Sequence, residues 1–356
     1  MKFVYSSLPY RVIFETGAID RVADEAARIG KRALVLSTPE QRDAAEDIVR
    51  RLGALAVGIF SQAAMHVPVA TAAAATALAR ALSADLSVAI GGGSTIGLAK
   101  ALSLQAGLPS LVIPTTYAGS EVTPLWGMTE NGVKKTGRDL IVLPRAVLYD
   151  PMLTLSLPAG LSISSGMNAI AHCMEGLYAV DGNPIVSLMA EEGIRTLAES
   201  LPEIGRSPNS LEARSAALYG CWLGGTVLGA ASIALHHKLC HSLGGAFDMP
   251  HAETHTAVLP HAVAFNASAT QDAMERAGRA LKVKPANVPN ALYDLAASLG
   301  AEMALKNLGM PEGGIDRVVV LALQNSYPNP RPITAGGIRS LLQRAYEGLP
   351  PQAQPI

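Results

Sequence analysis

The sequence predicts two domains: an α/β N-terminal domain with a parallel sheet, residues 1–155, and an all-α C-terminal domain, residues 156–356. Three observations predict this. Short apolar runs alternate with helix-like segments through the first 150 residues, which is the βαβ pattern. Those runs are continuous rather than alternating in polarity, as strands covered on both faces are. After Asp150-Pro151, long segments of helical period take over and strand-like runs become scarce.

Taken in order, residues 10–16 read as a strand leading to Gly17. Residues 18–28 read as a helix with Ile19, Val22 and Ala26 on one face. Further strands are expected at 33–36, 55–60, 86–90 and 110–113, most of them separated by segments that can be helical. Pro68 sits near a helix start, where its missing N–H does no harm. Pro158-Ala159-Gly160 punctuates the boundary between the domains. Helical spacing then covers 164–179, 184–201, 210–228, 271–281, 288–299 and 333–345.

Composition narrows the function. Apolar residues make up 49% of the 356 and charged residues only 16%, enough to bury a large core and too little charge for a disordered chain. Lys and Arg number 28 against 29 acids, with no polybasic run, and aromatics are 4%, so nucleic acid is not an expected partner. Cys173, Cys221 and Cys240 have no paired spacing, which argues against a disulfide framework. With no leader-like start and no apolar stretch of spanning length, a cytoplasmic protein without membrane contact is expected.

The run 86–90 is followed by Gly91-Gly92-Gly93-Ser94-Thr95 and a helical stretch through Lys100. Strand, glycine turn and helix start form a phosphate-binding geometry, because the missing Cβ atoms admit an anion to free helix N–H groups. The turn is neither a complete G-x-G-x-x-G nor a P-loop, since Ile96 holds the third glycine's place and no Gly-Lys-Ser/Thr follows. A second hydroxyl-rich turn, with Thr115, Thr116, Tyr117 and Ser120, follows the next strand, and two such turns line one crevice at the strand ends. At the end of the second strand, Ser37-Thr38 stands where a carboxylate often meets a ribose 2′-hydroxyl.

Seven of the eight histidines fall between 172 and 261. Asn168 and His172 are four apart, as are His237 and His241, so each pair shares a helix face. His251 follows Pro250, and His236, His255 and His261 complete the group. Such pairs hold a divalent cation or align a proton relay. Asn168 is a neutral amide, however, and Glu175 has nothing in its spacing to turn it inward.

At these residues the sequence resembles the iron-containing alcohol dehydrogenase superfamily, and within it the maleylacetate reductases. The resemblance rests on GGGST at 91–95, PTTYAGSEVT at 114–123, MNAIAHCMEG at 167–176, HHKLCHSLGGAFDMPHAETH at 236–255 and LPHAVAFN at 259–266. It implies a nucleotide-binding domain and a helical domain with the active site in the cleft between them. It implies NADH or NADPH bound by Ser37, Gly91, Gly92, Gly93, Ser94, Thr95, Thr115, Thr116, Tyr117 and Ser120. Metal-dependent members hold their ion at the positions of Asn168, His172, His237 and His251. Here Asn168 replaces an aspartate and Gly97 replaces that of GGGSxxD, so no tightly bound metal is expected.

The implied reaction reduces the carbon–carbon double bond of maleylacetate, or a substituted maleylacetate, to a 3-oxoadipate in aromatic catabolism. His241 is the expected proton donor, and His172, His237 and His251 stabilise the enolate. The two substrate carboxylates call for cations and donors: Lys238, Tyr327, Asn329 and Arg331, with Asn168 beside them and Lys135 and Arg138 as further contacts. A homodimer is implied. The alternative is a metal-dependent alcohol dehydrogenase of the same superfamily. Cys173 and Cys240, each beside a histidine, suggest sensitivity to thiol reagents.

Overall fold

The computed structural model describes residues 3–130, 133–324 and 327–352. The chain divides into two compact units, Ser7–Leu157 and Pro158–Ile356, the latter joined by the residues before Ser7.

The N-terminal unit carries eight described strands: β1 Arg11–Phe14, β2 Ala33–Leu36, β3 Ala56–Phe60, β4 Leu86–Gly91, β5 Ser110–Pro114, β6 Leu125–Glu130, β7 Val133–Arg138 and β8 Ala146–Tyr149. Its helices are α1 Val22–Ala27, α2 Arg42–Leu52, α3 Val69–Ala81 and α4 Gly93–Ala106. Six strands form a sheet in the order β1-β8-β5-β4-β2-β3, with every pairing parallel. Alternate side chains of the inner strands β2, β4 and β5 enter two separate cores. Ala33 and Val35 of β2 join Ile48, Val88 and Leu111 on one face, while Leu34 and Leu36 join Ala75, Ile96 and Val112 on the other. Two buried faces account for the continuous apolar strands.

The expected helix at 18–28 is divided. A 3-10 turn, Ala18–Arg21, precedes α1, because Gly17 enters it at φ 81, a left-handed conformation that glycine adopts freely. The antiparallel hairpin β6–β7 and the inner strand β8 are additions to the expected set.

The C-terminal unit is helical: α5 Ala159–Leu177, α6 Pro184–Arg206, α7 Leu211–Ala230, α8 Leu235–Phe247, α9 His251–Asn266, α10 Gln271–Leu281, α11 Val288–Ser298, α12 Gly314–Leu323 and α13 Ala335–Glu347. Small residues let its central helices approach. A Cβ on Gly224 would lie 2.8 Å from the Ala169 carbonyl of α5, and one on Gly176 would lie 2.1 Å from Val227 of α7. Helices α8, α9, α12 and α13 close over Leu239, Leu243, Val258, Val318 and Leu341. Among the described residues, no single helix is long and apolar enough to cross a bilayer.

Candidate active site

In the N-terminal unit, β4 ends at Gly91 and α4 begins at Gly93, with no side chain capping the helix. Gly91 has φ 148, and a Cβ there would lie 2.6 Å from both Gln41 Oε1 and Thr95 Oγ1. A Cβ on Gly92 would meet Thr116 at 2.9 Å, whereas Gly93 faces open space. The first N–H groups of α4 lack helical partners and present themselves to an anion. Thr115 N donates to Gly91 O at 3.1 Å, tying the second turn to the first.

The strand order reverses between β2 and β4, and that reversal marks the ligand crevice of an open parallel sheet. Gln41 stands there, donating from Nε2 to Thr115 Oγ1 at 2.9 Å. Sequence reading does not single it out, because it follows β2 by a turn of uncertain register.

Three expected cofactor contacts are committed elsewhere. Ser37 is fully buried and its Oγ donates to Thr38 O. Tyr117 is fully buried, with its hydroxyl 3.4 Å from Thr154 Oγ1. Ser120 accepts from Lys100 Nζ through both its carbonyl, at 2.6 Å, and its hydroxyl, at 3.1 Å. Lys100 donates as well to Thr123 Oγ1 and Leu125 O, so one buried ammonium holds the residue 120–125 segment against α4. Burial pushes that ammonium down to about 7 against the pull of Glu121.

In the C-terminal unit, α5 places Asn168 and His172 one turn apart, both buried. Helix α8 places His237, buried, one turn before His241, exposed. Helix α9 opens at His251, exposed, and carries buried His255 one turn on. Ring centres lie 5.2 Å apart for His172–His237, 6.1 Å for His237–His241 and 4.2 Å for His251–His255. The four expected histidines thus join one cluster, through His255 in the case of His251. His255 is its hub, 5.0 Å from His237 and 6.3 Å from His241.

The largest departure from the sequence reading is Glu175. It points inward, buried, and accepts from Ala234 N at 2.8 Å, His236 N at 2.7 Å and His237 Nδ1 at 2.7 Å. Burial pushes its carboxyl up, but the two histidines and the Ala234 N–H outweigh that and hold it below the usual carboxylate range. The carboxylate fixes the His237 proton on Nδ1 and leaves Nε2 as a lone pair. Burial, reinforced by neighbouring rings, pushes His172 and His255 well below the usual imidazole value and His236 to about 4. These rings are neutral at pH 7.

The expected reactive thiols are not found. Cys173 and Cys240 are buried, and desolvation pushes Cys173 up to about 12 and Cys240 well above its ordinary value, so both remain protonated and inert.

Tyr327, Asn329 and Arg331 line one pocket of about 250 Å³. The Lys238 ammonium lies 5.6 Å from the Tyr327 ring centre. The Tyr327 hydroxyl has no partner, and burial pushes it up to about 12, so it is a donor at neutral pH. Asn329 is not a free donor. Its amide is spent on Asn266 and the Arg331 carbonyl, and its oxygen accepts from Leu235 N. Arg331 stacks over Phe265 at 4.7 Å and donates to the Phe265 carbonyl. Lys135, on the β6–β7 hairpin of the other unit, is paired with Glu130 at 2.8 Å. Arg138 lies on the same hairpin, exposed.

Residues 9–151 match the family described as iron-containing alcohol dehydrogenase, and residues 162–346 match the Fe-containing alcohol dehydrogenase family, C-terminal. This chain belongs to the iron-containing alcohol dehydrogenase family. It is 67% identical to a maleylacetate reductase of Sphingobium indicum over 99% of both chains, and 55% identical to one of Burkholderia cepacia over 98% and 99%. The structure of maleylacetate reductase from Agrobacterium tumefaciens superposes with a TM-score of 0.95 at 50% identity, covering 99% of this chain and all of that one.

Two departures from the family pattern have visible causes or consequences. A Cβ on Gly97 would meet Val67 Cγ2 at 2.6 Å, so an aspartate there has no room. Val67 is held at φ 48, a costly conformation for a β-branched residue, and fills that space. Asn168 keeps the shape of an aspartate but not its charge. Its Oδ1, His172 Nδ1 and His237 Nε2 are buried with no hydrogen-bond partner. Such lone pairs fit a divalent cation, so the expectation of a metal-free site rests on the lost charge alone.

Proposed function

We propose that this chain reduces the carbon–carbon double bond of maleylacetate to give 3-oxoadipate, with NADH or NADPH as hydride donor, in the breakdown of aromatic compounds. The observation that carries this reading is the 67% identity to a maleylacetate reductase over 99% of both chains. Hydride is delivered to the carbon β to the ketone, the resulting enolate is held by hydrogen bonds, and a proton is added at the α carbon. One NADH and one proton are consumed for each double bond.

The residues divide that work. The first turn of α4 with Gly91, Gly92, Gly93 and Ser94 receives the cofactor's phosphates, and Thr115 and Thr116 flank them. His241 delivers the proton. It is the exposed ring one turn from His237, so it recharges from solvent. His172 and His251 stabilise the enolate oxygen as ring N–H donors, while His237, whose Nε2 Glu175 leaves as a lone pair, acts through an ion it would hold. Lys238, the Tyr327 hydroxyl and Arg331 receive the carboxylates. A divalent ion held through His237 and His172 would polarise the keto oxygen.

The test is to follow NADH loss and product mass with maleylacetate and purified protein. Conversion to 3-oxoadipate is expected. NADH consumed only with simple aldehydes, or not at all, overturns the reading and favours an alcohol dehydrogenase.

A further inference from the structure

We propose that His236, His237 and His255 form a closed site for a borderline divalent ion such as Zn²⁺ or Co²⁺, displaced from the family's metal positions at Asn168, His172 and His251.

One nitrogen from each ring lies within 4.8 Å of the others, and all three residues are at most 3% exposed. The ring centres form a nearly equilateral triangle: 5.1 Å for His236–His237, 4.9 Å for His236–His255 and 5.0 Å for His237–His255. An ion bonded at about 2.0–2.1 Å sits about 3.2 Å from each ring centre, and tetrahedral spreading puts those centres about 5 Å apart.

Ring orientation agrees. An imidazole lone pair lies in the ring plane, and steeply crossed planes let three rings face one ion without clashing. The three planes here cross at 89°, 80° and 76°. His172 and His237 instead lie with their planes at 25°.

Hydrogen bonds at one nitrogen of two of the rings leave the other nitrogen unpartnered. His237 donates from Nδ1 to Glu175, leaving Nε2 without a partner. His236 donates from Nε2 to the His255 carbonyl at 3.0 Å, leaving Nδ1 without a partner. Neither nitrogen of His255 has one. Unpaired buried polar atoms are costly, and one cation satisfies a lone pair from each of the three rings. Cys240 supplies no fourth ligand, since its thiol donates to Thr254 O, so the fourth position is left to an oxygen from solvent or substrate.

The experiment titrates chelator-stripped full-length protein with Co²⁺ alone and reads the visible absorption of four-coordinate cobalt. A saturable signal is expected. His255→Asn and His236→Gln should each weaken it about tenfold or more, while Asn168→Ala and His251→Ala leave it nearly unchanged. No cobalt signal, or loss in Asn168→Ala or His251→Ala, overturns the assignment. Anomalous diffraction from cobalt-soaked wild-type crystals decides the matter without variants. A peak among the three rings supports the site, whereas a peak against His172 and His251, or none, refutes it.

Discussion

Replacing Glu175 by Gln tests the organisation of the histidine cluster. The carboxylate accepts three buried hydrogen bonds, from two backbone N–H groups and one imidazole. A Gln side chain keeps a single acceptor oxygen. If that oxygen stays where Oε2 now lies, Ala234 and His237 remain bound, and an NH₂ group is turned toward the His236 N–H. One charge-assisted bond is lost and the other two weaken, which costs about 3 kcal/mol at about 1.5–3 kcal/mol for each such bond. The His237 ring also loses the negative charge that makes Nε2 basic. Outer-shell partners of this kind are worth about 10–100-fold, so kcat with maleylacetate should fall by about that factor. The KM for NADH should stay unchanged, because nothing at the Gly91–Gly93 turn is altered. Glu175→Asp, which keeps the charge, should recover part of kcat. A Glu175→Gln enzyme with kcat within twofold of the parent would refute the orienting role, whatever its stability.

Lys100→Met removes the ammonium from the Ser120 and Leu125 carbonyls and the Thr123 hydroxyl, though Ser120 O keeps its bonds from Thr123, so unfolding of the N-terminal unit should become easier by about 2 kcal/mol, read by urea denaturation; a change below about 0.5 kcal/mol would mean that solvent replaces the ammonium. His261 is buried and pushed down to about 4, chiefly by desolvation and further by Arg344. The unfolded chain takes up that proton near pH 6.5, so stability is fully present above 6.5 and falls as the pH drops toward 4. About 2 kcal/mol should be lost between pH 7 and 5, and His261→Phe should flatten that slope. Equal slopes in parent and variant would exclude His261. His241→Ala should lower kcat about 10²-fold or more, and a near-normal rate removes it as proton donor. Gly97→Asp should destabilise the fold by about 1–3 kcal/mol through its clash with Val67, with Val67→Ala restoring part of the loss in a double-mutant cycle.

Much of the fold is legible in the chain because local and tertiary preferences agree. Strand β2 and helix α10 match their expected limits, Ala33–Leu36 and Gln271–Leu281. The first is apolar throughout because both faces are covered, and the second has a strong apolar stripe. The β6–β7 hairpin escapes because β7, at Val133–Arg138, is rich in polar residues and packs too little core to show a period. The Asn131-Gly132 pair in the sequence, outside the described residues, is the turn signal that points to it. Strand β8 is only Ala146–Tyr149, four apolar residues with no flanking helix, too short to separate from a loop by periodicity.

The site divides along a similar line. The Gly91–Gly93 turn and the i, i+4 histidine pairs are local patterns, and local patterns are what a chain displays. Glu175 depends instead on a contact spanning some sixty residues, and its inward rotation is set by how α5 packs beside the start of α8. Ser37, Tyr117 and Ser120 turn out bonded elsewhere for the converse reason. A hydroxyl near a glycine turn looks the same in sequence whether it faces a nucleotide or, as for Ser120, a buried lysine. His255 was the most recoverable of the residues left outside the expected set, since it repeats the four-residue spacing from His251 on one face of α9. That repetition, with His237 bonded to Glu175, makes the cluster a connected set of rings with directed nitrogens rather than a scattering of core histidines. Capture of a cation draws on an imidazole nitrogen kept free by what its partner nitrogen holds, whereas protonation of an enolate needs an N–H, which the exposed ring of His241 regains from solvent.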